Sequence, residues 1–391
     1  MNKILRINAF PARGDRIWTK DAPKLDVFFM LIAVTLGIAG SIMVFSAGSA
    51  YAEFRYEDQY FFAKRQILWL ISGIIIMLVA SRIKPAVYLA LTPFLYLITL
   101  ILLILVLAIG LTGNGAQRWI SIGPLTLQPS EIAKMTLVMI LAYYFHKKGD
   151  EHANDKSSSN IFFYDTVIPC ALMAAPILLI MLQKHLSCII ILGLLGLLVI
   201  FASGTNTKYI RFFIILGIIG VTCIALFTDY TKERITVWQD PESYRLTGGW
   251  QTLQGLMAIG SGGLFGLGLG NSLLKHCYVS EPANDMIFAI LCEEIGFIGA
   301  LLTLGIFAVL IFRGYTLCLR VDGTYKRLVI FGIITKIAIQ TLLNVAVVTN
   351  TVPNTGISLP FFSYGGSSLI MIFFEIGIIL SFSRTARIIK Q

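Results

Sequence analysis

Residues 87–111 read VYLALTPFLYLITLILLILVLAIGL, an unbroken apolar run without one charged side chain. A helix rises about 1.5 Å per residue, so a run of this length crosses the roughly 30 Å hydrocarbon core of a bilayer. Nine further runs approach the same criterion: 27–48, 66–81, 130–145, 166–182, 187–203, 209–227, 286–312, 328–349 and 366–383. The second and fourth spans, 66–81 and 130–145, are short and must recruit flanking residues. Composition agrees, since 57% of the 391 residues are hydrophobic and 13% charged. Soluble domains carry about 25% charged residues, and disordered chains are poor in apolar ones. The expected fold is an all-α polytopic membrane protein of ten transmembrane helices, forming one integral domain over residues 1–391.

The charges orient it. Residues 1–26 hold Lys3, Arg6, Arg13, Arg16, Lys20 and Lys24, and no small-residue cleavage site follows the first run, so that run reads as an uncleaved anchor. With this segment cytoplasmic, the inner segments hold 20 Lys and Arg and the outer ones 9. The positive-inside rule then puts both termini in the cytoplasm. The net charge of +10 is thereby an orientation signal and implies no nucleic acid. The six cysteines contain no CxxC pair and read as small core hydrophobes.

The connecting segments are unequal. Residues 146–160 read as a polar cytoplasmic linker. Residues 228–285, between the seventh and eighth spans, form a large outer loop with Trp238, Trp250 and a glycine-dense stretch, Gly260–Gly270. Outer segments 112–129 and 350–365 are rich in Gly, Pro, Ser and Thr. Most of the material for a site therefore lies on the outer face. No internal repeat is evident, which disfavours inverted-repeat transporter plans.

Ionisable residues within spans face a bundle interior or a cavity. Here they are Glu131, Lys134, Glu293, Glu294, Lys336 and Glu375. Glu131 and Lys134, three apart at a helix start, form either a self-neutralising pair or the wall of a polar cavity. Ser130 is a candidate cap for that helix. Asp285, where the outer loop meets the eighth span, is either a helix N-cap or a functional carboxylate. Capping would lower its pKa and weaken it as a base. Glu293 and Glu294 point about 100° apart, so they are not expected to act on one atom. Gly260–Gly270 lacks the strand–loop–helix context of a nucleotide loop, and its glycines suit tight turns or close helix approach. His146, His152, His185 and His276 show no metal-ligand spacing.

These residues also resemble a known family. Arg118-Trp119-Ile120 with Gln128-Pro129-Ser130-Glu131-Ile132-Ala133-Lys134 is similar to the RWI…QPSExAK motif of SEDS proteins (shape, elongation, division, sporulation). Gln251, Ala258–Gly270, Asn284–Ala289 and Glu293–Gly299 resemble its outer-loop signature. The run Pro353…Gly356…Leu359–Ser368 resembles the signature before its last span. Gly270-Asn271-Ser272 with Lys275 looks more like the FtsW/SpoVE branch than the RodA branch. Two departures stand out. The family's P-D-x-G-T-like run is Lys184-His185-Leu186-Ser187-Cys188 here, so no role is carried onto it. Its T-D-F is Asn284-Asp285-Met286, which keeps the carboxylate.

The resemblance implies a peptidoglycan glycosyltransferase of the bacterial cytoplasmic membrane that polymerises lipid II at the outer face, in division or sporulation. It implies Asp285 as the base that takes the acceptor hydroxyl proton. Arg118 and Lys134 would stabilise the departing pyrophosphate, with Glu131 orienting Lys134. Trp119, Gln128, Ser130, Gln251, Lys275, Ser363 and Ser367 complete the expected substrate-binding set. A divalent cation, magnesium or manganese, is compatible with the pyrophosphate, and no ligand cluster in the sequence specifies one. The implied partners are a class B penicillin-binding transpeptidase and other division or sporulation proteins. Two alternatives stay open: a lipid II flippase, for which the charges within spans would also serve, and a scaffold without chemistry.

Overall fold

The apolar runs become helices that pack around a charged centre. The computed structural model describes residues 18–19, 25–113, 116–122, 125–151, 163–205, 229–385 and 388–389. The helices are α1 (Val27–Tyr56), α2 (Phe61–Ala80), α3 (Pro85–Ile109), α4 (Pro129–Glu151), α5 (Ile168–Leu182), α6 (Leu186–Ala202), α7 (Asp229–Gln239), α8 (Trp250–Ser261), α9 (Ile287–Arg320), α10 (Thr324–Val348) and α11 (Gly366–Ser383). A π-helical turn, Phe163–Val167, leads into α5. Among the described residues, seven helices are long and apolar enough to cross a membrane, and the shorter apolar α6 accompanies them. The expected seventh span, 209–227, lies outside the described residues, as do most of the 146–160 linker and of residues 1–26. Strand β1 (Trp18–Thr19) pairs antiparallel with the last strand, Ile388–Ile389, which joins the two ends of the chain.

Two elements of the reading are corrected. The molecule is mostly helical, not all-α: the 112–129 segment forms an antiparallel meander of β2 (Leu111–Gly113), β3 (Ala116–Ile122) and β4 (Leu125–Leu127). These strands are short, and their alternating Trp, Ile, Leu and Thr side chains are the β-forming kind. Residues 228–285 contain the two helices α7 and α8. Ser130 does not cap α4. The helix begins one residue earlier, at Pro129, and the buried Ser130 hydroxyl makes no hydrogen bond.

In a bilayer, association rests on close packing and polar contacts, because lipid is as apolar as leucine. Helix α4 packs against α3, α6 and α10 at the centre of the bundle, and α2 lies along α11. Two ion pairs are enclosed there: Lys134–Glu131 within α4 at 2.7 Å, and Lys336 of α10 with Glu375 of α11 at 2.5 Å.

Helix α9 is broken at Gly296, whose φ of 69° is left-handed. The break frees backbone groups that the membrane cannot solvate. The glycine-rich stretch of the outer loop satisfies them. Leu267 and Gly268 donate to the carbonyls of Glu293 and Glu294 at 3.0 and 2.9 Å, while Phe297 and Ile298 donate to Gly263 and Leu264 at 2.9 and 3.1 Å. A Cβ on Gly266 would stand 2.2 Å from the Glu294 carbonyl, so only glycine permits this approach. The expected close helix approach at this stretch is thereby found.

Candidate active site

The outer segments converge on one cavity of about 930 Å³. Strand β3 brings Arg118 and Trp119 to its wall, and the start of α4 brings Gln128, Glu131 and Lys134. Asp285 enters from the loop end preceding α9, and Ser363 from the segment before α11. Seven of the eleven residues picked out from sequence thus share one space. Ser363 donates to the Asn284 carbonyl at 2.7 Å and accepts the Leu359 amide at 2.7 Å, which ties the last outer segment to the aspartate's neighbour.

Gln251, the second residue of α8, reaches the site through Asp285. Its Nε2 donates to the two carboxylate oxygens at 3.5 and 3.4 Å. Lys275 stands apart. Its ammonium is buried against Glu294 at 3.1 Å and the Gly270 carbonyl at 2.5 Å, so it fastens the outer loop to α9. Ser46 of α1 donates to the same Glu294 at 2.6 Å, and Ser272 and the Leu273 amide donate to Glu293. The two glutamates therefore serve a structural latch. The hydroxyls of Ser130 and Ser367 are enclosed without partners and do not line the cavity.

Asp285 does not cap α9. Met286 occupies the cap position, without a side-chain cap bond. The carboxyl is half-buried and is pushed up to about 6, first by burial and then by the nearby Glu281 carboxylate, against the hydrogen bond from Gln251. A carboxylate so placed remains ionised at neutral pH and is more basic than an ordinary one. Gly356, at φ 66°, brings backbone against this group: a Cβ there would sit 3.4 Å from Oδ2.

Sequence reasoning missed several cavity residues. Arg65 and Trp69 lie one turn apart on α2, and Trp69 packs on Gly366 at the start of α11. His185 and Gln340 also line the space. Gln340 belongs to a visible signal, since Lys336, Gln340 and Asn344 recur every four residues on one face of an otherwise apolar span. Helix α7 is tied to the segment that follows α10: Trp238 donates to the Asn350 carbonyl at 2.9 Å, and Arg234 to that of Asn354.

With this geometry in view, the relatives are informative. The family model described as "Cell cycle protein", covering FtsW, RodA and SpoVE, matches residues 26–388. The chain belongs to the FtsW/RodA/SpoVE family. It is 36% identical to stage V sporulation protein E of Bacillus subtilis over 364 residues, covering 93% of this chain and 98% of that one. It is 35% identical to the probable peptidoglycan glycosyltransferase FtsW of Geobacter metallireducens over 367 residues, covering 93% and 96%. Among solved structures, it superimposes with a TM-score of 0.77 and 25% identity on a chain described under "Structural coordination of polymerization and crosslinking by a peptidoglycan synthase complex", covering 92% and 98%. Rod shape determining protein RodA of Thermus thermophilus gives a TM-score of 0.68 at 25% identity, covering 92% and 97%. As a family member with seven apolar helices among the described residues, it is a multi-pass protein of the bacterial cytoplasmic membrane.

Proposed function

We propose that this chain is a peptidoglycan glycosyltransferase that polymerises lipid II at the outer face of the membrane, in division or sporulation. The observation that carries the reading is Asp285. It is a carboxylate made more basic by burial, opening onto a cavity whose far wall carries Arg118 and Lys134. Asp285 takes the proton of the acceptor hydroxyl as that oxygen attacks the anomeric carbon. Arg118 and Lys134 face the charge that develops on the departing pyrophosphate. Glu131 holds the Lys134 ammonium at 2.7 Å and keeps it charged and in place. Gln251 fixes the orientation of the Asp285 carboxylate. Trp119, Gln128 and Ser363 shape the remaining walls.

A magnesium or manganese ion would arrive on the pyrophosphate and take its ligands from the phosphates and water. When bound, such an ion would neutralise pyrophosphate charge; without one, that task falls to the protein's own groups. Among the described residues, no three His, Cys, Asp or Glu side chains form a ready-made metal cluster.

The topology belongs to the same proposal: ten spans, both termini cytoplasmic, and residues 228–285 outside the membrane. The basic residues of the inner segments and the pairing of the two chain ends support it. A class B penicillin-binding transpeptidase is the proposed partner, supported by the likeness to a chain of a peptidoglycan synthase complex. The test is polymerisation of labelled lipid II by the purified chain, with Asp285→Ala as control. Glycan strands should form with the native chain and not with the variant. A flippase would instead move labelled lipid II across liposomes with polymerisation blocked.

A further inference from the structure

One cavity residue is left without a role by this chemistry. His185, at the N-terminal boundary of α6, is 9% exposed, lines the cavity, and has its Nδ1 enclosed without a hydrogen-bond partner. Its surroundings are built. Arg118 donates to the carbonyl of Lys184, the adjacent residue, at 2.9 Å, so its guanidinium is anchored beside the imidazole. On the other side, Ser187 donates to the Thr355 carbonyl, and Cys188 points its thiol at the Ser130 carbonyl on α4. The ring therefore shares the cavity lining with the two cations expected to meet the pyrophosphate, and both are close enough to act on its charge.

The charges facing the ring are Arg118 from β3, and Glu131 and Lys134 from α4. Cys188 accompanies it on α6. The cavity is also lined by Arg65 of α2, by Asp285 before α9 and by the uncharged Gln340 of α10, while Lys336 is already paired with Glu375 of α11. Arg65, Arg118 and Lys134 against Glu131 and Asp285 leave one net positive charge in the cavity. A diphosphate joining two alcohols carries one negative charge on each phosphorus, so one of them is uncompensated. In the empty cavity, burial and then the Arg118 and Lys134 charges hold the imidazole down to about 3, so the ring is neutral. An entering anion opposes both causes.

We propose that His185 is a phosphate-binding residue, neutral in the empty cavity, that takes a proton from water as a polyprenyl diphosphate enters and then joins Arg118 and Lys134 in holding it. The proton supplies the missing positive charge, and the ring nitrogens donate charge-assisted hydrogen bonds to the phosphate oxygens. His185 contributes binding; Asp285 remains the base. This inference rests on the proposed glycosyltransferase reading, because it assumes a lipid diphosphate as the cavity's ligand.

The probe is the methyl ester of farnesyl diphosphate, a diester whose two phosphates have no ionisation near neutral pH, titrated into the full chain in lipid nanodiscs at pH 7. Calorimetry in two buffers of different ionisation enthalpy counts protons taken up per bound molecule. The native chain should take up close to one proton. His185→Gln should bind about tenfold more weakly with uptake near zero, and His185→Lys should regain affinity without uptake. Asp285→Asn, measured alongside, removes a cavity carboxyl that also titrates near neutral pH and should leave the uptake in place. Ring ¹⁵N NMR of the native chain, assigned with His185→Gln, reads the protonation directly and needs no variant to bind. A His185 ring that stays neutral in the saturated complex overturns the proposal, as does unchanged affinity and uptake in a folded His185→Gln. If the native chain polymerises lipid II while either result holds, only this inference fails. If it neither polymerises lipid II nor binds this diester, the glycosyltransferase reading fails with it.

Discussion

The side-chain amide of Asn344 donates to the main-chain carbonyl of Asp285 at 2.9 Å and to that of Ile357 at 2.7 Å. One fully buried residue of α10 thus joins the base-bearing loop to the last outer segment. Removing it leaves two enclosed carbonyls without donors. Each such loss costs about 1–3 kcal/mol when the group stays buried. Asn344→Ala should lower stability by about 2–4 kcal/mol and, by loosening Asp285, lower kcat for lipid II polymerisation about a hundredfold with little change in KM. Thermal melts and steady-state kinetics check the two effects separately.

Asp285 should set the acidic limb of the pH–rate profile. The base must be ionised, so kcat/KM should rise with pH and level off above about 6. Gln251→Leu removes a donor that favours the ionised form, and the limb should then move to higher pH.

The same carboxyl gives a stability signature of opposite sign to the usual one. Its folded value is above the ordinary 3.8, so between about 4 and 6 the folded chain holds a proton that the unfolded chain has released. Stability falls as pH rises through that window and stays lower above it. Asp285→Asn should therefore be inactive, yet more stable than the native chain at pH 7.5 by on the order of 1–2 kcal/mol. At pH 4 the difference should vanish. Melting curves at the two pH values provide the measurement.

Gly356 makes a steric prediction. Its φ of 66° disfavours a side chain, and a methyl group would press within 3.4 Å of the Asp285 carboxylate. Gly356→Ala should cost about 1–2 kcal/mol in stability and shift the acidic limb upward by further desolvation. The pH profile separates this from a purely structural defect, which would lower the rate equally at every pH.

The latch at the α9 break predicts asymmetry between single and double changes. Lys275→Met leaves Glu294 fully buried with no cationic partner, and breaking such a pair costs about 3–5 kcal/mol. Lys275→Met combined with Glu294→Gln should recover most of that loss in a melting experiment.

How far these features were legible depends on their range. The helices could be read because bilayer thickness demands long apolar runs, and α3, α10 and α11 follow theirs closely. The Glu131–Lys134 pair was visible because its spacing is local. Helix α9 was read only to residue 312, since its tail from Arg313 to Arg320 is too polar to count as a span, although Arg313 is held by Asp26 at 2.7 Å. Strand pairing around Arg118 was missed because the strands on either side of β3 have three residues each and carry almost no periodic signal. Lys275 matched a motif, yet whether it met substrate or Glu294 was a tertiary question. His185 looked like a lone histidine, because its neighbours Arg118 and Lys134 come from distant segments.

The central claim is that Asp285 is the base of a lipid II polymerase. It is tested most directly by adding labelled lipid II to the purified native chain and to Asp285→Asn, with both shown to be folded by their melting curves. The native chain should yield glycan strands and the variant none. Strand formation by the folded variant at the native rate would contradict the account.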